Sequence, residues 1–403
     1  MSELFTYRNA SSEPPAAGGP LSGLRVAVQP NLSVRGWPCD AGSRSLAGYL
    51  APADATAAGR LTRAGARLVG SLRMAELGFG LAGDTTARAL RDGQADLALV
   101  TDTLGEARVA AARAGLVGFK PSYGLVSRCG LIGLTPSMEC LGMAAADPTP
   151  MLDALAVMAG ADPDDPSMPD DCAGGIGAVM PPITDLKKAG VIEESLKHLD
   201  PSERNAFETG IARLAGAGVA IREVSLGEYD LFSDAHQVIA AVEASSSAGK
   251  YDGVRYGHRS EAGKNWNEMY LNTRAESFGP RIKPFLFQGA YFQFQNYGAF
   301  ENACRIRGRL LRAVDALFRE VDLLLLPTWR PGRDPMAADT VEATYAAFIL
   351  TLPASLTGHP ALQVPDPALV PGTDPGLQLI GRRMDDARLL SMGLHLSTSA
   401  REA

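Results

Sequence analysis

The chain has 403 residues, enough to bury a sizeable core and, by length alone, to form one to three domains. Its 38 Lys and Arg stand against 45 Asp and Glu, a net charge of −7 with no run of like sign. That balance excludes the concentrated basic face that nucleic acid requires. No apolar stretch reaches membrane-spanning length, so no membrane partner is expected.

Cysteine and histidine usage narrows the chemistry further. Cys39, Cys129, Cys140, Cys172 and Cys304 are odd in number and scattered, without C-x-x-C spacing. Reduced thiols are expected, with neither a disulfide framework nor a zinc site. His198, His236, His258, His359 and His395 show no H-x-x-x-H or H-E-x-x-H spacing. Neither a metal nor another cofactor is expected. The opening MSELFTYRNASSEPPAAGG lacks an apolar core of secretory type, and a cytoplasmic protein is the expectation.

Residues 1–20 read as a mobile arm punctuated by Pro14-Pro15 and Gly18-Gly19, leaving 21–403 as one domain. A short strand is expected over 24–28, a helix over 54–64 and a strand over 67–69. A helix follows over 85–91, then a buried strand over 96–100, a turn over 101–105 and a helix starting at Glu106. A helix over 151–158 leads into a Pro-, Asp- and Gly-rich connection over 162–182. The second half continues with a helix over 202–215, a strand over 220–224 and a helix over 233–246. Residues 285–319 read as one long helix, straight or kinked. Strands over 322–326, 362–364 and 377–380 precede a closing helix over 385–395. This alternation predicts an α/β fold: one domain around a large mixed, mostly parallel sheet flanked by helices on both sides.

The stretch DLALVTDTLGEARVAAARAGLVGFKPSYG, from Asp96 to Gly124, resembles the heart of the amidase signature family. So does GPLSGLRVAVQPNLSVRGWPCDAGSRSL, from Gly19 to Leu46. EASSSAGKYDGVRYGHR, from Glu243 to Arg259, is similar to the amidase subunit of the tRNA-dependent amidotransferase. DLLLLPTW, LTLPASLTGHPALQVP and GLQLIGRRMDDARLL complete the pattern in family order. The resemblance thus covers nearly the whole chain, and it implies the same single large sheet flanked by helices.

The family's catalytic set is a lysine, a serine in an unusual cis peptide and a nucleophilic serine. The resemblance places these at Gln29, Ala82 and Glu106. It therefore implies that the serine relay is replaced. The run Phe79-Gly80-Leu81-Ala82 also lacks a family loop, which implies a reshaped and more open pocket mouth.

The turn ending in Thr103, Leu104 and Gly105 sits between a strand and a helix N-terminus, and in the family its amides form the oxyanion hole. Here they are candidates to bind an anion or to polarise a carbonyl. Glu106 has two readings. It is either a general acid/base in a pocket that raises its pKa, or a helix-start acid satisfied by nearby N–H groups. Gln29 is a candidate partner for Glu106 or a ligand. The residues that hold glutamine in amidotransferase relatives align near Phe285 and Phe348, which implies an apolar cavity; ordinary core residues are the alternative. His236 is a further candidate polar group. Lys120-Pro121, Arg128 and the run Tyr251-Asp252-Gly253-Val254-Arg255-Tyr256 read as scaffold.

The leading expectation from these residues is a non-hydrolytic biosynthetic enzyme, with Glu106 acting on a small, fairly apolar ligand in the former amidase pocket. Cyclisation, isomerisation, dehydration and condensation all suit a single carboxylate. A catalytically dead binding or scaffold subunit is the rival, and residual amide hydrolysis by a Glu106-activated water is a third reading. A homodimer or a partner protein is compatible with all three.

Overall fold

The computed structural model describes residues 4–10, 18–169, 187–216, 218–255 and 257–402. The strands are β1 (Phe5–Arg8), β2 (Arg25–Val28), β3 (Arg67–Leu72), β4 (Leu97–Asp102), β5 (Val117–Lys120), β6 (Cys140–Ala145), β7 (Lys188–Ile192), β8 (Ala220–Val224), β9 (Leu323–Pro327), β10 (Ala361–Val364) and β11 (Leu377–Ile380). The helices of the first half are α1 (Thr56–Arg63), α2 (Thr85–Arg91), α3 (Glu106–Arg113), α4 (Thr149–Met158), α5 (Glu193–Leu196) and α6 (Pro201–Gly216). Those of the second half are α7 (Leu231–Ser247), α8 (Trp266–Ser277), α9 (Ile282–Phe294), α10 (Tyr297–Leu317), α11 (Val341–Phe348), α12 (Leu352–Thr357) and α13 (Asp386–Glu402).

Among the described residues, all strands join one sheet in the order β1-β3-β2-β4-β6-β5-β10-β11-β9-β7-β8. The sheet is mixed, as expected, but it is not mostly parallel. Parallel ladders join β2 to β3 and β4, and β7 to β8 and β9. The remaining pairings, including every one across the middle from β4 to β9, are antiparallel. The cause in the first half is β6, which the chain reaches from β5 without an intervening α-helix and which inserts antiparallel between β4 and β5.

Side-chain alternation divides the core in two. Leu97 and Leu99 of β4, Leu323 and Leu325 of β9, and Leu377 and Leu379 of β11 pack with α1, α4, α6 and α13 on one face. Leu324, Leu326 and Ile380 face the other way, where α3, α7, α9, α10, α11 and α12 lie. Ala98 and Val100 share that second face with Ala107 and Ala111 of α3. Their small side chains let α3 lie close to the sheet. Helices therefore cover both sides, as the sequence leads one to expect.

Two further expectations need correction. Residues 1–20 are not simply an arm: Phe5–Arg8 is an edge strand paired antiparallel to β3, with Phe5 buried. Residues 1–3 and 11–17 of that stretch, 170–182 of the Pro/Asp/Gly-rich connection with Cys172, and Tyr256 lie outside the described residues. Residues 285–319 are two helices, α9 and α10, separated at Gln295 and Asn296. Asn296 leaves helical geometry at φ −142° and ψ 59°. No described helix is long and apolar enough to cross a membrane. No group of three His, Cys, Asp or Glu among the described residues is placed to hold a metal ion.

Candidate active site at the head of α3

β4 runs through the core, ends at Asp102, turns at Thr103, Leu104 and Gly105, and enters α3 at Glu106. Gly105 makes the turn possible. Its φ is +134°, and a Cβ there would stand 2.2 Å from Thr351 Oγ1. Thr351 fixes the same turn by donating its hydroxyl to Leu104 O at 2.5 Å. Below the turn, Asn31 Nδ2 donates to Thr101 Oγ1 at 2.7 Å, and Gln29 Oε1 accepts the Thr101 N–H at 2.9 Å. Gln29 thus braces the strand that leads into the turn.

The turn wraps around the Glu106 carboxyl, which is only 2% exposed. Oε2 accepts the N–H groups of Thr103 at 2.8 Å, Leu104 at 2.8 Å and Gly105 at 3.1 Å. Oε1 accepts a single, longer bond from the Gly80 N–H at 3.3 Å. Burial and the nearby Asp102 charge push the carboxyl up from its ordinary value to about 7, against the pull of the turn amides. One oxygen is therefore anchored, and the other is held by one weak donor in a group poised near neutrality.

His236 of α7 stands on one side of the turn. Its Nε2 lies 3.1 Å from Thr103 O and its Nδ1 lies 3.0 Å from the Tyr345 hydroxyl. A carbonyl only accepts, so Nε2 carries the proton and Tyr345 donates to Nδ1. Burial pushes His236 down to about 3, so the ring stays neutral. Phe285 stacks on Phe79 with ring centroids 4.3 Å apart. Phe79, Leu104, His236, Phe285 and Tyr345 leave a space of only about 10 Å³, room for about one water. The expected apolar cavity is thus nearly filled. Phe348 is fully buried in the core and does not line it.

The open space lies elsewhere. A recess of about 240 Å³ is lined by Gln29, Gly80, Leu81, Ala82 and Ala110 among others. Gln29 and Ala82 therefore share one cavity, and Gly80 links it to Glu106. A second hollow of about 290 Å³ adjoins it and shares Leu81, Ala82 and Gly83. Leu81 and Ala82, in the run where the sequence pattern lacks a loop, line both hollows.

Sequence reasoning missed Gly80, Tyr345, Thr351 and the pair Asp102 and Arg108. The pair did leave a trace. In EARVAAAR, Arg108 interrupts a helix otherwise built of small residues that must pack on a sheet. Lys120, expected as scaffold, is fully buried and donates to Pro121 O at 2.9 Å.

Comparison with known proteins defines the class. The chain matches the family described as Amidase over residues 7–90 and 86–390. It is 33% identical to a glutamyl-tRNA(Gln) amidotransferase subunit from Symbiobacterium thermophilum, over 93% of this chain and 82% of that protein. It is also 33% identical to the protein of the same name from Natronomonas pharaonis, over 95% of this chain and 97% of that one. A crystal structure of an amidase superposes with a TM-score of 0.75 at 26% identity, covering 94% of this chain and 85% of that chain. The chain belongs to the amidase family.

These relatives overturn the leading functional expectation. Proteins matched along almost the full chain are named for amide chemistry, so neither a non-hydrolytic biosynthetic enzyme nor a dead scaffold fits that company.

Proposed function

We propose that the protein cleaves or transfers the nitrogen of a carboxamide at the head of α3, with the Glu106 carboxyl as the proton-handling group. The reading is supported by the family's amide chemistry together with one observation: a buried carboxyl poised near 7 that keeps one oxygen nearly free. Glu106 Oε1 takes a proton from water as the water oxygen bonds to the amide carbon. It then returns that proton to the departing nitrogen as the C–N bond breaks, so a carboxylic acid and ammonia result, which exchange a proton to leave as carboxylate and ammonium. In this reading Gln29, Ala82 and Glu106 occupy the positions the resemblance assigns to the catalytic lysine and two serines. A water then replaces serine as nucleophile, and the protein is not a conventional amidase. The substrate enters by the recess at Gly80 and Ala82.

The relatives are by name one subunit of an amidotransferase, and a partner protein belongs to the same proposal. Ammonia release from glutamine, asparagine and simple primary amides tests the reading, on the isolated chain and on the chain purified with whatever it holds. Release that Glu106→Gln abolishes supports it. No release from any amide in either preparation, or stoichiometric labelling by a fluorophosphonate serine probe, overturns it.

A further inference from the structure

α9 is apolar on two opposite faces. Ile282, Phe285, Leu286 and Gly289 form the buried one. Gly289 sets the helix hard against α7, since a Cβ there would stand 1.8 Å from Ala241 O. The other face carries Phe287, Tyr291 and Phe294, and Tyr297 follows at the head of α10. These four side chains are 72%, 53%, 73% and 52% exposed. A surface helix needs one apolar face; a helix with a second belongs in an interior.

The open face has the spacing of a seam between helices. Pro284, Phe287, Tyr291 and Phe294 recur at intervals of three, four and three residues along about 20 Å of helix. From Pro284 to Gly298 the chain has no charged residue, and its polar side chains are glutamine, asparagine and tyrosine. This neutral strip lies on a chain of net charge −7, 21% of whose residues are charged. A charged partner would find no counter-charge there, whereas two copies of the chain bring no like charges together.

The spacing also suits twofold symmetry, in which the same patch serves both copies. With two α9 helices antiparallel and Tyr291 at the axis, Phe287 faces Phe294 of the partner subunit. Size agrees with this arrangement. At about 200 Å² for a whole aromatic side chain, the four rings expose about 500 Å². Two copies would hide about 1,000 Å² from the rings alone, the size at which a specific interface begins.

We infer that the aromatic face of α9 is the contact between two copies of this chain, paired antiparallel about Tyr291. The contact does not rest on the amide chemistry proposed above. It braces the helix whose inner face carries Phe285, one wall of the small space beside the turn.

Analytical ultracentrifugation of the full chain tests the pairing. At about 10 µM the expected mass approaches twice the 42.4 kDa of one chain, because a Kd near 1 µM leaves most chains paired. Tyr291→Arg brings two like charges together at the axis and should weaken pairing by about thirtyfold or more. Phe287→Ser adds no charge and should weaken it as well. Both residues are exposed, so far-UV circular dichroism should stay unchanged. Leu271→Arg, at an exposed position on α8, should leave the pairing intact.

A mass of 42.4 kDa up to about 100 µM would overturn the inference, even if a different protein were found to cover α9. A doubled mass that Tyr291→Arg and Phe287→Ser leave unchanged would overturn it too, because the copies would then meet elsewhere.

Discussion

Arg108 holds both carboxylate oxygens of Asp102, Nε to Oδ2 at 3.1 Å and Nη2 to Oδ1 at 2.8 Å, where neither side chain reaches solvent. The same guanidinium donates to Thr351 O at 3.1 Å, Gln378 Oε1 at 2.6 Å and Ser355 Oγ at 2.8 Å. One side chain thus ties the end of β4 to α12 and β11, directly beneath the turn that carries Glu106. Replacing Arg108 with Met keeps much of its volume but leaves Asp102 buried and unpaired. The expected cost is about 3–5 kcal/mol, read by denaturant unfolding. Asp102→Asn together with Arg108→Met should recover part of it, because no stranded charge remains. A loss below about 1 kcal/mol for Arg108→Met would show that the pair does not hold the turn.

Gly105 is the second structural test of the turn. Alanine there must both adopt φ +134° and place its Cβ 2.2 Å from Thr351 Oγ1. Backbone strain and overpacking together should cost about 2–4 kcal/mol. Thr351→Ser should relieve little, because the hydroxyl rather than the methyl makes the closest approach. Normal stability of Gly105→Ala would mean that the turn adopts another path.

Parts of this architecture were legible in the sequence for identifiable reasons. The helix over Thr85–Arg91 and the strands Ala220–Val224 and Leu377–Ile380 lie where their patterns predict. The strand Cys140–Ala145 escaped notice because it is buried on both faces. CLGMAA therefore shows no alternation to reveal it. The break at Gln295 and Asn296 carries neither proline nor glycine, so α9 and α10 read as one run. At the site, the turn and Glu106 followed from a contiguous motif. Tyr345 on α11 and Thr351 at the start of α12 lie more than two hundred residues away in sequence, and only folding brings them to Thr103 and Leu104. Phe285 lies with Thr103 and Leu104 around the small space beside the turn, whereas Phe348, three residues after Tyr345, is buried in the core.

Tyr345 and His236 give a prediction that separates a positioning role from proton transfer. Tyr345→Phe removes the hydroxyl that donates to His236 Nδ1 and strands that nitrogen in the core. A cost of about 1–3 kcal/mol is expected in thermal or denaturant unfolding. Because burial pushes His236 down to about 3, its ring should show no titration by NMR between about pH 5 and 8 in the unmodified protein. A His236 signal titrating near neutrality would instead make the imidazole a rival proton carrier.

Glu106 itself should be visible in both stability and rate. Unfolded, the carboxyl loses its proton near 4.5; folded, it keeps the proton up to about 7. Between those values the folded protein holds the extra proton, so rising pH favours unfolding. The stability present below pH 4.5 falls by about 3 kcal/mol as pH passes 7. Asp386, pushed up to about 6 mainly by burial, adds a loss of the same sign. Glu106→Gln should therefore flatten the decline without removing it. Activity should move the other way, because the base works only when ionised: kcat/KM for an amide should climb through about pH 7. Glu106→Gln should lower it by roughly 10²–10⁴ and abolish that limb. Glu106→Asp should also lose most of the rate, since the carboxylate retreats by about 1 Å from the nitrogen it must reach. If Glu106→Gln turns over amide at the original rate with the original pH profile, the carboxyl is no more than the acid that closes the turn, and some other group must carry the proton.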